Sequence, residues 1–214
     1  QGDDSELTQA YSYVAKIFDL QPELYLGDNV PGSLLVMAYP RPTLVMDRSL
    51  LNETSEGKRF ILGYAFEQIK GGYAFLFGLG RKQRGELITL MHSLTLAEHQ
   101  RGGPTNDFLK SLPRSVVETI EKAGPEGRKK DPATWIDGMM ASARRAGLLA
   151  CDDFPTTLRM LAGLNGEKLT NEPAAIVSLA AVLGGIDLVR YLLSDKYHRL
   201  REVLRMPQAA GESH

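Results

Sequence analysis

Apolar residues at Leu7, Ala10, Tyr11, Val14, Ile17 and Phe18 recur at the three- and four-residue spacing of a helix, so residues 6–18 predict an amphipathic first helix. Pro22 closes that pattern. Residues 23–27 read as a short strand, ended by the turn-forming pairs Asp28-Asn29 and Pro31-Gly32. Two more apolar runs, 33–39 and 43–46, flank Pro40-Arg41-Pro42. Proline withholds a backbone donor, so these runs form a hairpin with an irregular connection or two edge segments. Phe60, Ile61, Tyr64, Gln68 and Ile69 then return to helical spacing. They predict a helix over 57–70, entered through Ser55-Glu56-Gly57-Lys58 and stopped at Gly71-Gly72.

The remainder is helical in period: 84–98, 106–112, 114–122, 132–149 (opened by the Asp131-Pro132 cap), 155–164, and a last pair, 172–183 and 186–204, hinged at Gly184-Gly185. Residues 207–214 are small and polar and read as a flexible tail. The expected fold is α+β and mostly α-helical. A small antiparallel sheet over about residues 23–47 packs on the helix at 57–70. A single domain over 1–206 is expected, with 172–205 as its C-terminal helical pair. No fixed-period repeat is visible.

Two segments carry a further pattern. One is Ile61-Leu62-Gly63-Tyr64-Ala65-Phe66-Glu67-Gln68-Ile69-Lys70, following the extended stretch Thr43-Leu44-Val45-Met46-Asp47-Arg48-Ser49-Leu50-Leu51. The other is Met140-Ala141-Ser142-Ala143-Arg144-Arg145-Ala146-Gly147. Together they resemble the gluzincin family that includes the CAAX prenyl endopeptidases and the bacterial heat-shock membrane proteases, over about residues 22–165. That family carries H-E-x-x-H on its first helix and E-x-x-A-D-R-x-G downstream. The resemblance places Tyr64 and Gln68 at the two histidine ligands, Ala65 at the catalytic Glu, Met140 at the third ligand and Arg144 at the Asp. Ala143, Arg145 and Gly147 keep the frame. The chain is also similar to degenerate domains of this type beside tetratricopeptide repeats in some bacterial proteins. The same positions suit an ordinary amphipathic helix, and both readings predict no zinc here.

The chemistry of the substitutions is plain. Zinc takes thiolate, imidazole or carboxylate ligands. Tyr64 offers a phenol with an ordinary pKa near 10, Gln68 a neutral amide, and Met140 a thioether suited to soft metals. Ala65 cannot take a proton from water. These residues suit a metal site converted to packed core, with one hydroxyl–amide hydrogen bond. No metal and no cofactor are expected.

Composition narrows the partners. Apolar residues make up 43% and charged residues 24% of 214, near globular averages. Lys and Arg number 25 against 26 Asp and Glu, which gives no basic footprint for nucleic acid. The longest apolar stretch, 174–185, falls short of the roughly 20 residues that span a bilayer, so no membrane insertion is expected. The single cysteine, Cys151, suits a reducing cytoplasm. Its neighbours Asp152 and Asp153 oppose thiolate formation. His92 and His99, seven residues apart, are too far apart for a compact metal grip and read as surface or helix-end residues. The first residue is Gln1, so the chain is expected to be either a processed protein or a piece of a longer polypeptide, the second being preferred.

What the resemblance implies about function is a catalytically inactive interaction or scaffold domain, with a protein or peptide partner. Its members hold substrate as an added strand on a sheet edge. The corresponding edge here is Leu34, Leu35, Val36 and Met37 with Leu44, Val45 and Met46. The alternative is a hydrolase with a rebuilt active site, which would need a fresh His, Asp and Glu cluster that the sequence does not display.

Overall fold

The computed structural model describes residues 4–38, 40–96, 98–127, 131–167, 181 and 184–209. They form two compact units, Gln1–Phe75 with Met140–His214, and Leu76–Met139. The chain is mostly helical with one small three-stranded sheet.

In the larger unit, α1 (Asp4–Phe18) precedes β1 (Glu23–Gly27), β2 (Leu34–Met37) and β3 (Thr43–Asp47), and α2 (Ser55–Lys70) follows. The α2 segment carries consecutive apolar side chains, so no face of it is wholly polar. With most of its residues buried, it is the central helix of this unit. Phe60, Ile61, Leu62, Ala65 and Phe66 are each at most 1% exposed. Thr54 caps its start, its Oγ1 accepting the Gly57 N–H at 3.1 Å. Its end is a Schellman turn. The Tyr73 N–H reaches the Gln68 carbonyl and the Gly72 N–H the Ile69 carbonyl, with Gly72 at φ 70°. The stop at Gly71-Gly72 is thus where the sequence puts it.

Helix α1 lies along α2 through Tyr11 and Phe18, whose rings meet Phe66 edge-on at 5.6 and 5.9 Å. The buried Lys58 donates to Glu6 at 2.6 Å between the same helices. Lys70 donates to the Phe18 carbonyl at 2.7 Å, satisfying an orphan acceptor at the end of α1.

The sheet corrects one expectation. Its order is β1-β3-β2, with β2 antiparallel to β3 but β1 parallel to it, so the sheet is mixed rather than antiparallel. The reason lies in residues 28–33. They carry the chain past the end of β3 instead of folding it back as a hairpin, using positive φ at Asn29, Gly32 and Ser33. Asp47, the last residue of β3, holds this crossing: one carboxylate oxygen accepts the Val30 N–H at 2.9 Å and the other the Ser49 N–H at 2.9 Å. Leu24, Leu26, Leu34, Val36, Leu44 and Met46 face the core. Tyr25, Val45 and Leu35 align across the other face.

The smaller unit contains α4 (Arg81–Thr95), α5 (Gly103–Lys110) and α6 (Arg114–Gly127), preceded by the short α3 (Phe75–Gly78). Helix α4 packs on α5 and α6. It starts before the expected Arg84 because the Gln83 side chain accepts the Gly80 N–H at 2.8 Å. Helix α7 (Pro132–Cys151) contributes residues to both units. The larger unit is completed by α8 (Phe154–Leu164), α9 (Gly185–Leu192) and α10 (Asp195–Ala209). Helix α10 runs past Pro207, where the tail was expected to begin. Apart from Ala181, the expected helix over 172–183 lies outside the described residues, as do residues 210–214.

Candidate functional site

Helices 57–70 and 132–149 lie side by side where α2 meets the second half of α7. The contact is made by small residues. A Cβ built on Gly63 would stand 2.8 Å from the Ala146 carbonyl oxygen, and one on Gly147 would stand 2.5 Å from the Phe60 ring.

Around this crossing the residues of interest take up separate roles. Tyr64 is half-buried and stacks on Phe60 at 5.8 Å. Ala65 is fully buried in the core. Gln68 is fully buried as well, and neither its Oε1 nor its Nε2 has a hydrogen-bond partner among the described residues. The expected hydroxyl–amide bond to Gln68 is therefore not made. Leaving a buried amide unpaired costs about 1–3 kcal/mol per group. Met140 is half-buried on α7. Arg144 extends over the turn before α9, where its guanidinium covers Gly184.

A set of polar groups gathers on the adjoining turns. Glu67, one residue before Gln68, accepts the Tyr73 hydroxyl at 3.2 Å. Burial pushes its carboxyl above the usual range, against the lowering effects of Tyr73 and Lys70. Burial also raises the Tyr73 and Tyr191 phenols. Arg145 donates through Nε to Asp187 at 2.9 Å and through Nη2 to its second oxygen, a two-pronged pair between α7 and α9. Its guanidinium lies 5.6 Å from the Tyr191 ring centre. Glu67, Lys70, Arg145 and Tyr191 line one cavity of about 460 Å³.

Glu67 had a sequence signal, since it is a carboxylate inside an apolar helical run. Arg145 was noted only as keeping a frame. Its partner Asp187 stands 42 residues further on with no local signal at all.

The sheet-edge positions divide. Leu44, Val45 and Met46 belong to the central strand, paired on both sides, and Leu44 and Met46 are fully buried. That leaves Leu34–Met37, one of the two outer strands with β1. Leu35 and Met37 are 45% and 39% exposed.

The remaining reactive side chains are placed simply. Cys151 is buried and shares a hydrogen bond with Thr157 Oγ1 at 3.2 Å. Burial is the main cause that raises its thiol, and Asp153 and Asp152 add less than the sequence suggested. His92 lies 3.7 Å from Asp131 at an exposed position, and His99 is exposed in a short turn. Among the described residues no group of three or more His, Cys, Asp or Glu side chains is placed to hold a metal ion. No described helix is long and apolar enough to cross a membrane.

Comparison of the chain with protein-family models, with curated proteins and with solved structures finds no match.

Proposed function

We propose that this chain is a non-catalytic, peptidase-like interaction domain that takes up an extended peptide along the outer side of β2. The observation that carries this reading is the outer strand itself. Leu34–Met37 pairs with β3 on one side only among the described residues, and it presents Leu35 and Met37 to solvent. A strand edge of this kind offers unpaired backbone groups to a partner, with alternate side chains supplying specificity.

The residues at the former ligand positions support the non-catalytic half of the reading. Tyr64, Gln68 and Met140 bring no thiolate, imidazole or carboxylate, and Ala65 brings no base. On this reading the helical core is that of a zincin whose metal site has been filled in. The domain serves within a larger bacterial protein, in a reducing cytoplasm that suits its single cysteine.

Two measurements test the proposal. Elemental analysis of untagged protein is expected to find no stoichiometric zinc. Zinc that disappears on changing Tyr64 or Gln68 would contradict the filled-in site. Photo-crosslinkers placed at positions 35 and 37 are expected to capture a defined partner segment. Crosslinks confined to other surfaces would remove β2 as the docking edge.

A further inference from the structure

The cavity beside Glu67 combines an apolar trough with a cationic rim, and its walls come from α1, α2, α7, α9 and α10. Ile17, Leu149, Leu200 and Leu204 are among the apolar side chains that line it, and Val203 stands at its margin 62% exposed. The cations are Lys70, Arg145 and Lys196. Its volume, about 460 Å³, falls in the range of roughly 300–1,000 Å³ typical of small-molecule sites.

Charge decides the kind of head group. Among the described residues, Glu67 is the only carboxylate lining the cavity, against three cations. Its Oε1 already accepts the Tyr73 hydroxyl. Asp187 is engaged by Arg145, which spends Nε and Nη2 on it and keeps Nη1. Lys70 gives one donor to the Phe18 carbonyl, a neutral acceptor, and an ammonium has three. Lys196 is exposed and meets no carboxylate among the described residues. The rim therefore holds more positive charge than its carboxylates offset.

From this juxtaposition of trough and rim we infer that the cavity binds an aliphatic carboxylate of the fatty-acid class. The tail lies along Ile17, Leu149, Leu200 and Leu204, and the carboxylate meets Lys70, Lys196 and the free edge of Arg145.

Calorimetric titration of the full chain with dodecanoate, below its micelle concentration, tests this directly. Saturable binding at one site is expected, weakening about fourfold for each methylene removed toward octanoate. Dodecanol and dodecyltrimethylammonium, with the same tail, are expected to bind about tenfold more weakly or not at all. Lys196→Glu sits at an exposed position that leaves the fold intact, and it should weaken dodecanoate about tenfold. Glu67→Gln keeps an acceptor for Tyr73, removes the carboxylate from the lining, and should tighten binding.

Three results overturn the inference. One is the absence of saturable dodecanoate binding. Another is ammonium binding as tight as that of the carboxylate. The third is dodecanoate binding unchanged by Lys196→Glu, or weakened by Glu67→Gln in protein of unaltered circular dichroism.

Discussion

Gly63 of the central helix lies against the main chain of Ala146, so close that a methyl group added to it would stand 2.7 Å from the Ala150 Cβ and 2.8 Å from the Ala146 carbonyl oxygen. Backbone cannot rotate out of the way as a side chain can. Alanine for glycine inside a helix ordinarily gains about 1 kcal/mol, but overpacking a tight core costs about 1–3 kcal/mol. The clash wins. Gly63→Ala is expected to lower stability by about 1–2 kcal/mol in urea denaturation. Gly163→Ala on α8, where nothing lies within 4 Å, is expected to be neutral or to gain up to about 1 kcal/mol. Equal effects at the two sites would contradict the close helix contact.

Gln68 gives the opposite sign. Its amide is fully buried and unpaired at both ends among the described residues. Replacement by Leu removes two unsatisfied groups with little change of shape. Gln68→Leu is expected to raise stability by about 1–3 kcal/mol. A loss of stability in the same denaturation measurement would mean that the amide makes hydrogen bonds essential to the core.

Glu67 gives stability a pH dependence whose sign follows from its surroundings. Burial, the largest influence, raises its folded-state pKa above the ordinary 4.5. The folded protein then binds more protons than the unfolded chain in the window above 4.5, so this group's contribution to stability falls as pH rises through the folded pKa. At lower pH both states are protonated and the contribution is complete. Glu67→Gln removes the titration. The stability of the variant relative to the parent is therefore expected to rise between about pH 4 and pH 7, measured by urea denaturation at a series of pH values. A difference that stays flat or falls across that window would show that Glu67 is not desolvated as described.

Much of this structure is written in local spacing. The helix over 57–70 was legible from its apolar period, and its end from Gly71-Gly72, because both signals act within a few residues. The parallel pairing of β1 with β3 was not. Residues 28–33 show turn-forming types, but whether they reverse the chain or carry it past β3 depends on Asp47, well beyond the turn. The same limit hid the candidate cavity. Glu67 and Arg145 could be seen singly, while Asp187, Tyr191 and Lys196 join them only through packing of α9 and α10. Central burial of β3 likewise removed Leu44 and Met46 from the edge that the resemblance implied.

The central claim is that β2 receives an extended peptide on its open side, and amide hydrogen exchange reads this most directly. Exchange at Leu34–Met37 is followed with and without a bound peptide selected from an array of extended apolar sequences. Protection is expected to be gained at alternate amides of this strand, as one new ladder requires. No comparable gain is expected at Thr43–Asp47, whose strand is already paired on both sides. Peptide binding that protects other segments and leaves the β2 amides exchanging freely would contradict the claim.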